Sequence, residues 1–145
     1  PLNLDAWDGY PAARDRFYAS MADVGATDLI VLTGDTHEWW ANQLTDRAGR
    51  PMGVELGTAA VTSPGSSSYF GAEAGNYSRM LNDRNEMIRY HNPFGKGYID
   101  LALSRDEAKA EFVSVSAITS TEYAVESKAK FDITRRDGSL ALDSV

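Results

Sequence analysis

Four consecutive aliphatic residues, Leu29-Ile30-Val31-Leu32, run directly into the polar stretch Thr33-Gly34-Asp35-Thr36-His37. A continuous apolar run of this length is far too short to span a bilayer. It reads as a strand buried on both faces, the kind found inside a parallel or mixed sheet with helices around it. The preceding residues supply such a helix. Pro11 suits a first helical turn, and Ala13, Phe17, Met21 and Val24 recur at helical spacing to form one apolar stripe. Gly25 stands where a helix terminator belongs. A helix followed by a buried strand sets the expectation of an α/β fold.

Further along, residues 37–44 read as the start of another short helix and 45–51 as a turn. A second strand is expected over 54–61, interrupted by Gly57, then a loop over 62–68 and a weakly formed helix over 74–88. The run Asn92-Pro93-Phe94-Gly95-Lys96-Gly97 breaks the chain again. From Tyr98 the period becomes two. Ile99, Leu101 and Leu103 share a face, as do Val113, Val115 and Ala117, and then Ala129, Phe131 and Ile133. With turns at 104–108 and Asp137-Gly138, the carboxyl-terminal segment is antiparallel β with one wet face. At 145 residues, 43% of them hydrophobic, the chain has the size and core of one domain, and no repeat or linker divides it.

The net charge of -7 excludes a broad nucleic-acid or anionic-lipid surface, because acidic surfaces repel phosphate. No cysteine is present, which removes disulfides, zinc–thiolate sites and a cysteine nucleophile from this stretch. No basic-then-apolar leader opens the sequence at Pro1, and no apolar run is long enough for a membrane span.

Asp35 and His37 are the most informative polar residues. The carboxyl end of a buried strand is where α/β proteins open a crevice. If the backbone stays extended past Leu32, both side chains point to one side and can meet one cation or two neighbouring ones. Asp offers a hard oxygen for Ca²⁺, Mg²⁺ or Fe³⁺, and His a borderline nitrogen for Fe, Zn or Mn. The alternative is structural: Asp35 capping a following helix and His37 merely hydrogen-bonded. Spacing alone leaves both readings open.

Other residues carry weaker signals. Asp8 reads as a helix-start residue in preference to a partner of the site. Trp39 and Trp40 read as packing residues before pocket-lining ones. His91 has no ligand partner at metal spacing and is expected at the surface. The serines within 63–68 lack a Gly-x-Ser-x-Gly elbow, so a serine hydrolase ranks low. Arg84, Arg89 and Lys96 are cations without a distinguishing context.

The order of motifs adds what spacing does not. Trp7-Asp8-Gly9-Tyr10, a helix, the strand ending in Gly34-Asp35-Thr36-His37 with Trp40, then Val61-Thr62-Ser63-Pro64-Gly65, Tyr90, Gly97-Tyr98 and Ala110-Glu111-Phe112 resemble the alkaline phosphatase D family. These are phosphomonoesterases and phosphodiesterases of the calcineurin-like metallophosphoesterase superfamily. The resemblance implies part of a four-layer α/β sandwich, with a mixed sheet and the antiparallel β segment, carrying metal ions at its strand ends. It implies metal-dependent hydrolysis of a phosphate ester, with Asp35 and His37 as the late-chain ligands. It also implies two or more ions, Fe³⁺ with Ca²⁺, with Zn²⁺ or Mn²⁺ as substitutes, and a periplasmic or secreted location. The remaining ligands fall in upstream motifs that this sequence does not match, so an amino-terminal half of the same domain is the expected partner and this chain alone should be inactive. The rival expectation is a binding or structural module that keeps the fold without catalysis.

Overall fold

The computed structural model describes residues 4–145. A 3-10 turn at Trp7–Gly9 leads into helix α1, Pro11–Asp23, with proline in its first turn. Gly9 is obligatory in that turn, since a Cβ there would lie 1.8 Å from the Leu4 carbonyl oxygen. Helix α1 ends at Val24 and Gly25, the latter at φ 73°, as the sequence predicts. Its buried side is rotated from the expected stripe: Ala13 and Val24 are exposed, and Tyr18 is the buried residue. On this side of the helix the Trp7 ring packs edge-on at 5.1 Å from Phe17 and 6.1 Å from Tyr18.

Strand β1, Leu29–Thr33, pairs in parallel with β3, Pro51–Gly57, and β2, Trp39–Thr45, lies antiparallel between β3 and β4, Ile88–Asn92. The sheet order is β1-β3-β2-β4, a mixed sheet. Two expectations change here. Residues 39–45 form a strand and not a helix, because Trp39 and Ala41 alternate into the core while Trp40 faces the other way. In the described residues β1 is an edge strand and not one covered on both faces, with Leu32 64% exposed.

Helices α2, Ser66–Phe70, and α3, Ala74–Arg84, connect β3 to β4, so the expected 62–68 loop is partly helical and the second helix stops short of residue 88. Gly57 ends β3 in place of interrupting a longer strand.

The antiparallel tail forms as expected: β5 (Lys96–Leu103), β6 (Ala108–Val115), β7 (Val125–Arg136) and β8 (Ser139–Ser144) make a second sheet in sequential order. Asp137 and Gly138, at φ 50° and 83°, close the β7–β8 hairpin. The inward face of β6 belongs to Ala110 and Phe112, with Val113 also buried, because the β6–β7 register shifts between Phe112 and Val113. Face-to-face packing of the two sheets buries Trp39, Ala41, Val54 and Leu56 against Ala110, Phe112, Phe131 and Ile133. Phe112 stands between Tyr90 at 5.3 Å and Phe131 at 5.7 Å, both edge-on. Each such contact adds about 0.5–1.5 kcal/mol beyond the area it buries. This core fixes β2 and β3, and the β1–β2 connection leaves the mixed sheet at the end of β1 and returns at the start of β2.

Candidate functional site

The connection between β1 and β2 carries Asp35 and His37. The backbone does not stay extended past the strand: Asp35 and His37 stand at φ 70° and 62°, and the Thr36 amide folds back onto the Gly34 carbonyl at 2.9 Å. Asp tolerates the left-handed region because its short side chain bonds locally; His does so at a cost. The two side chains therefore leave a folded turn and not one side of a strand. Asp35 is exposed and His37 half-buried. No helix follows, since β2 begins at Trp39, so the capping role for Asp35 falls away.

His37 Nδ1 lies 2.7 Å from the Pro64 carbonyl oxygen. That oxygen can only accept, so Nδ1 carries the hydrogen, and in the neutral ring Nε2 is then the nitrogen with the lone pair. A ring held this way through one nitrogen is set up to donate through the other, which is how protein histidines are oriented toward metals. An imidazole nitrogen and a carboxylate oxygen suit the same borderline or hard cations. Among the described residues no group of three His, Cys, Asp or Glu side chains converges. Asp35 and His37 by themselves thus fall short of a closed coordination shell.

Directly behind this turn is a layer of polar residues that sequence inspection missed. Glu38 is buried, with one carboxylate oxygen 2.7 Å from the Ser66 amide and the other 2.7 Å from His91 Nε2. Burial by itself raises the carboxyl pKa, but the hydrogen bonds from His91 and Ser66 outweigh it and hold Glu38 below its usual value. His91 is therefore not at the surface. It sits in β4 beside Trp40, stacked on that ring at 3.8 Å, with the edge of Tyr77 at 6.2 Å. Its partner lies 53 residues away in sequence, and no local pattern announces it. Lys96 approaches from β5, its ammonium donating to the His37 carbonyl at 3.3 Å; burial lowers its pKa while Glu38 pulls the other way.

The remaining candidates take structural places. Asp8 pairs with Arg14 at 2.6 Å and bridges the 3-10 turn to α1. Trp39 is fully buried in the core, whereas Trp40 flanks the site and donates from Nε1 to the Thr36 hydroxyl at 2.9 Å. Pro64, Gly65 and Ser66, from the serine-rich segment, supply contacts to the turn through their backbone. A Cβ on Gly65 would come within 3.0 Å of the His37 carbonyl oxygen, so glycine allows the segment its close approach. Arg84 and Arg89 are exposed.

The chain as a whole has relatives among known proteins. The family model described as PhoD-like phosphatase matches residues 1–112. The chain belongs to the PhoD-like phosphatase family. It is 27% identical over 133 residues to alkaline phosphatase D of Bacillus subtilis (strain 168), an alignment covering 89% of this chain and 22% of that protein. A solved structure titled "Structure of PhoD" superimposes with a TM-score of 0.75 at 25% identity, over 95% of this chain and 26% of the other. The chain thus spans about a quarter of the length of these PhoD-like relatives. The α/β architecture, with its mixed and antiparallel sheets, is the one it shares with the PhoD structure.

Proposed function

We propose that this chain contributes Asp35 and His37 to the metal site of an enzyme that hydrolyses phosphate mono- or diesters. The carrying observation is the 2.7 Å contact between His37 Nδ1 and the Pro64 carbonyl, which leaves Nε2 free at a strand end beside an exposed carboxylate. Family membership and the name of the Bacillus subtilis relative point to phosphate-ester chemistry. Two or more ions, Fe³⁺ with Ca²⁺ as the family resemblance implies, or Zn²⁺ or Mn²⁺, would supply the Lewis acidity for attack of water on phosphorus.

The chain's own residues have simpler tasks. His37 Nε2 would donate to an ion without transferring a proton, and the Asp35 carboxylate would add a hard oxygen and a negative charge. A local positive centre is also what an acidic protein needs to receive an anionic ester, since its net charge is -7. The other ligands would come from an amino-terminal part of the same four-layer sandwich. The free edge of β1 and its exposed Leu32 are suited to pair with that part. Among the described residues no helix is long and apolar enough to cross a membrane. The periplasmic or secreted location stays with the family resemblance.

The test is elemental analysis of the intact protein alongside hydrolysis of a generic phosphodiester and a phosphomonoester. Chelation should abolish hydrolysis, and metal return should restore it. Turnover that survives removal of all metal overturns the reading. Bound metal without turnover on either ester would instead favour the binding module.

A further inference from the structure

Residues 36–38 are held from several directions at once. Trp40 Nε1 donates to the Thr36 hydroxyl, Pro64 accepts from the His37 ring, and Lys96 donates to the His37 carbonyl. The Glu38 carboxylate takes the Ser66 amide on one oxygen and His91 Nε2 on the other. The last pair is the only acid–histidine contact among the ion pairs of the described residues, and it is dry: the side chains of His91 and Glu38 are 0% and 5% exposed.

The placement of these bonds is informative. Ser66 lies two residues after Pro64, and Glu38 one residue after His37. The two segments therefore run side by side with two cross-links, one through the His37 ring and one through the Glu38 carboxylate. Gly65 lies between the links, and the absence of a Cβ there lets the segments close. If the Glu38–Ser66 link is lost, the Pro64 carbonyl is no longer held against His37 Nδ1. An imidazole released from that carbonyl is free to place its hydrogen on Nε2, the nitrogen a ligand must offer bare.

We propose that Glu38 and His91 are positioning residues, a buried pair that anchors the 64–66 segment so that the Pro64 carbonyl fixes the His37 ring in its Nδ1–H form. His91 holds the Glu38 carboxylate in the geometry that receives the Ser66 amide. Trp40, stacked on His91 and bonded to Thr36, ties the same pair back to the turn. The consequence for metal affinity rests on the proposed function; the ring orientation does not.

The experiment compares Ser66→Pro with Ser66→Ala in the intact protein. Residue 66 opens α2 after an extended Gly65, a position where proline is tolerated. Proline removes the amide hydrogen that Glu38 accepts, and alanine keeps it. In metal-free protein carrying ¹⁵N-histidine, the wild type and Ser66→Ala should show His37 with its hydrogen on Nδ1. Ser66→Pro should shift His37 toward the Nε2–H form and weaken Mn²⁺ binding about tenfold, in the range that loss of a supporting partner costs. A His37 signal unchanged in Ser66→Pro, or changed equally in Ser66→Ala, overturns the proposal. If Ser66→Pro does not fold, the pair His91→Gln and His91→Leu decides. The donor-bearing Gln should keep the His37 signal and the Leu variant lose it; equal behaviour of the two overturns the proposal. A wild type with the expected tautomer but no affinity for metal would leave the anchor intact and remove the metal-site reading instead.

Discussion

Replacing His37 with alanine is expected to lower metal content and turnover together. The imidazole is the sole nitrogen donor at the turn, and its orientation is already fixed by the Pro64 carbonyl, so little ordering cost remains to be met when an ion binds. Loss of a partner behind a ligand typically costs about 10–100-fold in affinity, and loss of the ligand itself should cost at least ~100-fold. Asp35→Asn should do less, because it keeps an oxygen donor and loses only the charge. The measurement is metal stoichiometry by elemental analysis, with turnover on the same samples and circular dichroism to confirm the fold. Wild-type stoichiometry in His37→Ala would remove His37 from the ligand set. Reduced turnover at full metal content would assign it to substrate contact instead.

The turn bearing Asp35 and His37 was legible because hydropathy changes abruptly after Leu32, and such a change marks the end of a sheet strand whatever surrounds it. The tail sheet was legible for a related reason: period-two alternation is local, and it survives in Ile99 and Leu101 and again in Ala129, Phe131 and Ile133. What could not be read depends on partners distant in the chain. Trp39 to Leu44 mixes strand-forming tryptophans with Ala, Gln and Leu, which suit helices equally. Contact with the second sheet decides in favour of a strand. The same holds for His91, whose burial follows from a carboxylate on another strand connection. The conformation of the turn is not legible in sequence, because an Asp and a His at positive φ depend on the tertiary bonds around them, and spacing arguments assume a regular backbone. Glu38, adjacent to His37, was visible in sequence, but nothing there distinguished it from a solvated charge.

A large effect on stability is expected at Gly53. This residue pairs with Leu29 at the start of the parallel β1–β3 ladder and stands at φ 146°, where side-chain-bearing residues rarely occur. A Cβ there would lie 2.2 Å from the Leu29 carbonyl oxygen and 2.8 Å from its amide nitrogen. Both are backbone atoms, so no rotamer change relieves the clash; β1 itself must move. Backbone strain of about 1–3 kcal/mol adds to an overpacking cost of about 1–3 kcal/mol. Gly53→Ala should therefore destabilise the protein by roughly 2–6 kcal/mol, against totals of about 5–15 kcal/mol for a domain. Gly49→Ala is the control: φ is 78°, but a Cβ there meets nothing within 4 Å, so only about 1 kcal/mol is expected. Urea unfolding of the two variants separates clash from strain, and equal midpoints would show that β1 yields freely. The comparison also bears on the site. Strand β1 runs from Leu29, opposite Gly53, to Thr33, opposite Gly57, and then directly into Gly34 and Asp35. A displaced β1 should weaken metal binding at His37 in molecules that remain folded, while Gly49→Ala leaves it unchanged. Such a result would show that the rigidity of the parallel ladder contributes to the placement of Asp35 and His37.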